Sequence, residues 1–191
     1  MQVKSQDGFS YIEVIIAIVI LMVGILALLS AITGAVVQAS GQQQQLAAKQ
    51  IATSTIESIM SAKETDVNRV PALVRLGWEA VGNVGSNIDP ITGLPQGVFV
   101  TGIQSVMTDA GPDQIIGTAD DTGTIVPNAQ RQIVITDICD PERPSANCVP
   151  VPANPLPVRI RTVQVTITYF VGTIQRQEVL TTVLTNYSVA N

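Results

Sequence analysis

An almost wholly apolar stretch from Val14 to Val37 limits what this chain can fold into more than any other feature. It exceeds the ~20 residues that an α-helix needs to cross a bilayer. A secretory signal would end in a small-residue cleavage site after its apolar region, and no convincing site of that kind follows Ser30 or Gly34. The stretch is therefore predicted to remain in the mature protein as a single membrane span.

The residues that lead into this stretch form a distinctive junction, Gly8-Phe9-Ser10-Tyr11-Ile12-Glu13. One carboxylate, Glu13, stands alone at the rim of the apolar segment. An ionisable group in hydrocarbon is costly, so its presence there indicates a function. The alternative is that Glu13 only reaches the membrane surface from an ordinary anchor.

This junction resembles the N-terminus of type IV prepilins and pseudopilins. The resemblance implies that residues 1–8 are a leader, that a prepilin peptidase cuts after Gly8, and that it N-methylates Phe9. It also implies that Glu13 pairs with the N-terminal amine of a neighbouring subunit during filament assembly. Such a pairing is physically reasonable, because two opposite charges in a low-dielectric core attract strongly, whereas either charge alone is penalised.

The resemblance further implies partners and a location. The expected partners are other pilin subunits, major and minor, the prepilin peptidase and the pilus assembly platform in the inner membrane. The chain is expected to cross the inner membrane once, with a periplasmic head, and to reach the pilus and cell surface after assembly. Many major pilins carry a proline where this chain has Ser30. Gly24 and Gly34 instead weaken the helix or allow close helix packing, and the sequence leaves both readings open.

The helical period continues beyond the apolar stretch. Small and apolar residues recur at spacings of three and four to about Ala62, which predicts that a sheet of the same chain packs there. The predicted fold class is α+β: one helix over residues 9–62, with 14–37 in the membrane, followed by a β-rich head over 63–191. This is the ladle-shaped pilin fold that the resemblance implies, a long helix packed on an antiparallel sheet. The residues of this stripe are Ala48, Ala52, Thr55, Ile56 and Ile59.

The second half of the chain has β character. Strands are predicted over 97–103, 131–136, 158–171 and 173–187, the last two forming a hairpin at Gly172. A short helix is predicted over 70–76, followed by Trp78 as a core anchor. The closing strands are similar to the end of PilV-like minor pilins.

Two features lie in loops. Cys139 and Cys148 would meet an oxidising compartment beyond the membrane, which predicts a disulfide; the alternative is two unrelated thiols. Asp109, Asp113 and Asp120 occupy the first, fifth and twelfth positions of an EF-hand-like calcium loop, although the glycine and glutamate typical of that loop are missing. The alternative is an ordinary Asp/Gly turn.

The amino-acid composition and charge argue against several classes of function. The chain has no histidine, which excludes Ser-His-Asp and Cys-His catalysis and His-ligated zinc. Asp120 and Asp121 are adjacent in a turn, and no second group of catalytic side chains accompanies them, so no enzyme activity is expected. A net charge of −5 with scattered basic residues disfavours a nucleic-acid partner. A minor type IV pilin is the leading hypothesis; a type II secretion pseudopilin and a pilus-tip adhesin are the alternatives.

Overall fold

The computed structural model describes residues 8, 10–64, 77–86, 96–145, 148, 150, 153 and 156–187. The helix predicted over 70–76 lies outside the described residues. The chain divides into two compact units, Met1–Gln43 and Gln44–Asn191. The α+β class is confirmed: a long N-terminal helix packs against a four-stranded antiparallel sheet.

The helix, α1, spans Tyr11–Glu64 without a break. It passes through Gly24, Ser30 and Gly34, and a Cβ added to either glycine would meet no described atom within 4 Å beyond the adjacent residues and the nearby backbone of the helix itself. In the first unit the described part of the chain consists almost wholly of this helix, and every residue from Tyr11 to Ser40 is exposed. The helix ends at Glu64 rather than at the predicted Ala62.

In the second unit, the C-terminal part of α1 buries the predicted stripe. Ile59 is fully buried, and the small Ala48 and Ala52 allow the helix backbone to approach the sheet closely. The stripe therefore packs on a sheet of the same chain, as predicted. Its buried members are Ala48, Ala52, Thr55, Ile56, Ile59 and Ala62.

The sheet contains β1 (Ile103–Asp109), β2 (Thr122–Asp137), β3 (Ile160–Val171) and β4 (Ile174–Thr185), in that spatial order and antiparallel throughout. The hairpin of β3 and β4 is confirmed. Gly172 has φ of 62°, a left-handed conformation that glycine adopts without steric cost, and it closes a two-residue turn between Val171 and Ile174. The predicted alternation of β3 is also confirmed, since Val163, Val165, Ile167 and Tyr169 face the core.

The strand predicted over 97–103 is wrong, because β1 begins only at Ile103. Before it, Phe99 forms an isolated parallel bridge with Asn83 and its side chain is completely buried. Gly102 then turns the chain with φ of 80°. β-propensity alone does not reveal that a segment places a side chain in the core without joining the sheet.

The strand predicted over 131–136 extends much further, from Thr122 to Asp137. Its first half contains Pro127 and Asn128, residues that normally interrupt strands. Pairing with β1 accommodates them at irregularities, because the register shifts between Ser105 and Met107 and again before Asp109.

Trp78 begins a short 3-10 helix, Trp78–Ala80, and is buried in the core, as predicted. Its indole Nε1 donates a hydrogen bond to the Val158 carbonyl at 2.7 Å. The guanidinium of Arg161 lies 4.6 Å from the ring centroid. The burial of Trp78 in the core was predicted from the sequence, but the burial of Arg161 beside it was not.

Candidate functional site

The junction at the N-terminus of α1 places Glu13 in the first helical turn. The Ser10 backbone N–H donates to Glu13 Oε2 at 3.3 Å, and the Glu13 N–H donates to the Ser10 carbonyl at 3.0 Å. A glutamate three residues after a serine, reaching back to its N–H, is half of a capping box. The S-x-x-E spacing is the sequence signal for this cap, which was not among the predicted features.

The residues of the predicted cleavage site are only partly described. Gly8 is exposed and precedes the helix, whereas Phe9 lies outside the described residues. Cleavage after Gly8 and methylation of Phe9 therefore stay predictions. Glu13 is exposed and shares one face of the helix with Val14, Ala17, Ile18 and Leu21. Its carboxylate thus stands at the end of an apolar stripe.

In the described part of the chain, one helix is long and apolar enough to cross a membrane, and it lies near the N-terminus. None of its most apolar part is buried by the rest of the chain. The hydroxyl of Thr33 donates to the Leu29 carbonyl at 2.8 Å, so this polar group is satisfied within the helix itself. The segment is therefore compatible with a single membrane span, in length and in composition.

The acidic loop between β1 and β2 uses its carboxylates to cap backbone N–H groups. Asp109 Oδ1 accepts from the Gly111 N–H at 3.0 Å, and Asp113 Oδ1 accepts from the Ile115 N–H at 2.8 Å. Asp120 Oδ2 accepts from the Asp113 N–H at 3.2 Å. These contacts are those of an Asp-rich turn.

The three predicted calcium ligands are not assembled as a set. Asp113 and Asp120 interact with each other, whereas Asp109 caps its own turn. No group of three or more His, Cys, Asp or Glu side chains is arranged to hold a metal ion in the part of the chain that the structure describes. Calcium binding by this loop gains no support from the geometry and stays a prediction.

Asp121, which was not among the predicted ligands, anchors this loop to the sheet. Its carboxylate accepts from Arg131 Nη2 at 2.5 Å and, with both oxygens, from the Gly117 N–H. The side chain of Arg131 is buried, so the ion pair is shielded from solvent. The Ile116 N–H also donates to the Ser58 hydroxyl of α1 at 2.8 Å. The loop is therefore a structural link between sheet and helix.

The neighbouring carboxyls Asp113 and Asp120 have pKa values moved in opposite directions. Burial raises the pKa of Asp113, helped by the charge of Asp120. Burial acts in the same direction on Asp120, but hydrogen bonds from Thr118 and from the Asp113 N–H outweigh it, so its pKa is lowered. Neutral Asp113 beside ionised Asp120 is consequently the favoured arrangement in acid.

Asp113→Asn is expected to increase the free energy of unfolding at pH 7. A raised folded-state pKa means that Asp113 stabilises the fold below the ordinary value of 3.8 and that this contribution is lost as pH rises through the folded pKa. The amide keeps the acceptor for Ile115 and never ionises. The gain should vanish once the pH falls below that ordinary value. Urea unfolding followed by the fluorescence of Trp78, the single tryptophan, measures it in detergent micelles.

Asp120→Asn is the matched control, with the opposite sign. Its lowered pKa means that its contribution exists above the ordinary value of 3.8 and is lost as pH falls through the folded pKa. This substitution should therefore destabilise the protein at pH 7 and matter less in acid. Equal losses from both substitutions at pH 7 would contradict the assignment.

The predicted disulfide is present. Cys139 and Cys148 are bonded, with 5.4 Å between their Cα atoms, and no free cysteine remains in the chain. The Ser145 N–H donates to Cys148 Sγ at 3.3 Å. The bridge closes the loop that follows β2. Close to it, the Tyr187 hydroxyl donates to Asp140 Oδ2 at 3.2 Å, which ties the loop to the segment after β4.

Replacing both Cys139 and Cys148 by serine is expected to lower the free energy of unfolding by about 2–3 kcal/mol, because an open loop increases the entropy of the unfolded chain. Urea unfolding with and without reductant measures the loss. Reduction should destabilise the wild-type protein by a similar amount and leave the double serine variant unchanged. A wild-type protein indifferent to full reduction would refute the expectation.

The chain matches no protein-family model, no curated protein and no solved structure.

Proposed function

We propose that this chain is a minor type IV pilin, a structural subunit that takes part in pilus assembly after its leader is removed. One observation carries the proposal: a continuous helix, uncovered along its apolar part, has a single carboxylate, Glu13, in its first turn. An uncovered apolar helix needs either lipid or neighbouring helices around it. A subunit that moves from membrane to filament uses both environments in turn.

Glu13 provides the register of that assembly. The hydrogen bond that the Glu13 carboxylate accepts from the neutral Ser10 N–H is long, at 3.3 Å. A charge-assisted hydrogen bond to a cation is stronger, so exchanging the Ser10 N–H for a cationic partner favours binding. Cleavage after Gly8 creates such a partner, the amine of Phe9. In the apolar core of a filament, a carboxylate left without its amine would be strongly penalised, and this favours one axial offset between subunits.

The other expected features follow from this role. The span over 14–37 holds the chain in the inner membrane, with residues 63–191 on the periplasmic side, where the disulfide of Cys139 and Cys148 can form. The partners are major and minor pilins, the prepilin peptidase and the assembly platform. No catalytic step is assigned to the chain.

The test compares the intact mass of the chain in sheared filaments and in membranes. A mature chain that starts at methylated Phe9 is expected in filaments. Glu13→Ala should remove it from filaments while it stays in membranes, and Glu57→Ala, an exposed glutamate of the same helix, should change nothing. A full-length chain absent from filaments would overturn the proposal.

Glu13→Gln separates the two roles of this side chain. Glutamine retains the capping acceptor for the Ser10 N–H but has no charge. If charge pairing drives incorporation, this variant should fail as Glu13→Ala fails. Normal incorporation of Glu13→Gln would show that Glu13 serves only as a helix cap.

A further inference from the structure

Strand β4 is an edge of the sheet, and it differs from the opposite edge. All twelve residues of β4 pair with β3 in one uninterrupted register from Ile160↔Thr185 to Val171↔Ile174. β1, at the other edge, has only seven residues and two register shifts. Bulges and short length protect an edge from pairing, so β1 is protected and β4 is not.

The open side of β4 also lacks the side chains that usually block pairing. No described strand lies beyond it. The strand contains no proline and no lysine, and its only charged residues are Arg176 and Glu178. Ile174 and Leu180 are 61% and 39% exposed. An edge of this kind is a template for another strand.

The register of β4 on β3 shows which of its residues share a face. Alternate residues of β4 lie opposite the core-facing residues Val165, Ile167 and Tyr169 and opposite Val171. On this face the order of side chains is apolar, basic, acidic, apolar. Read in the antiparallel direction, that pattern complements itself. The four residues are Ile174, Arg176, Glu178 and Leu180.

We propose that β4 pairs antiparallel with β4 of a second copy of this chain, with Gln177 on the two-fold axis. In this register Ile174 lies opposite Leu180 of the second copy, and Arg176 lies opposite Glu178. Both pairs occur twice, as symmetry requires. Directly opposed side chains on one face are close enough to interact. Glu178 already accepts from Gln45 Nε2 at 2.7 Å, and a carboxylate has capacity for a further donor.

Other registers are disfavoured by the same residues. A shift by two residues in one direction places Glu178 opposite its own copy, and in the other direction Arg176 opposite its own copy; like charges directly opposed are destabilising. A shift by one residue would put the core-facing side of one sheet beside the outer side of the other. The proposal rests on the sheet alone and does not depend on the assembly role of Glu13.

Cysteine cross-linking of the full chain in vesicles tests whether Gln177 lies on the two-fold axis of the proposed dimer. The native cysteines are paired, so a single introduced thiol reports only contact between copies. Gln177→Cys is expected to form a covalent dimer on mild oxidation. Thr181→Cys, on the same outer face and also exposed, is the matched control. In the proposed register its two copies lie about 27 Å apart, far beyond disulfide reach.

Charge reversal in the Gln177→Cys background tests the register. Arg176→Glu and Glu178→Arg should each reduce dimer formation about tenfold, since each creates two like-charge contacts. The double variant Arg176→Glu/Glu178→Arg should restore it, although it also lacks the bond to Gln45. Equal cross-linking of Thr181→Cys would overturn the proposal. So would cross-linking insensitive to the reversals, which indicates association through α1, or a double variant that does not recover.

Discussion

Arg161→Met is expected to lower the free energy of unfolding of the second unit by about 3–5 kcal/mol, because it breaks a buried charge network from one side. Arg161 is 3% exposed. Its Nε donates to Asp137 Oδ1 at 2.9 Å, and its Nη1 donates to the carbonyls of Trp78 and Val81 at 2.5 and 2.7 Å. Methionine fills similar space but removes the ion pair between Arg161 and Asp137 and the donor to the Trp78 and Val81 carbonyls.

Urea unfolding of the full chain in detergent, followed by the fluorescence of Trp78, measures this loss. Arg159→Met is the control, since Arg159 is only half-buried and donates to the carbonyl of Asn186. The control should cost less than about 1.5 kcal/mol. Arg161→Lys should recover only part of the stability, because one ammonium cannot reproduce the planar guanidinium on Trp78. Equal effects at positions 161 and 159 would contradict this account.

Phe99→Ala is expected to cost about 3–5 kcal/mol, through lost burial and the cavity left behind. The ring is fully buried and belongs to the core formed by α1 and the sheet. Its backbone is also held: the Phe99 N–H donates to the Gly82 carbonyl at 3.1 Å, and the Phe99 carbonyl accepts from the Val84 N–H at 2.9 Å. Because the backbone is held in this way, the segment cannot collapse to fill the space.

The same unfolding measurement checks this prediction, with Val100→Ala as the neighbouring control. Val100 is only half-buried, and its backbone bond to the Gly117 carbonyl does not depend on the side chain. Its truncation should cost about 1 kcal/mol or less. A Phe99→Ala protein as stable as wild type would mean that the ring is not part of the core.

The elements with a strong local period were predicted well. The apolar stripe of α1 repeats every 3.6 residues and the alternation of β3 every 2 residues, and both periods are visible in the sequence. The residues that these periods predicted to be buried are buried in the structure. The turn at Gly172 was also readable, because only a few residues define it. Only the ends of α1 and of these strands differ, by the one or two residues over which helix and strand ends ordinarily vary.

In the acidic loop, the spacing of the aspartates does not reveal the structural contacts that they make. Its spacing predicts Asp109, Asp113 and Asp120 as calcium ligands, and that stays a prediction. In the structure all three also accept hydrogen bonds from backbone N–H groups. The carboxylate that anchors the loop is Asp121, whose partner Arg131 comes from β2. Spacing along the chain does not reveal which side chains a fold brings together.

Residue order alone was enough to predict the membrane-length helix, the buried stripe of α1, the closing hairpin and the disulfide, because each depends on residues near one another in the chain. Two features became visible only in three dimensions: Phe99 is buried in the core without belonging to a strand of the sheet, and Arg161 is buried. Arg161 meets the Trp78 carbonyl across 83 positions of sequence. Whether a charge is buried with partners or left in water depends on such distant contacts, and no local period encodes them.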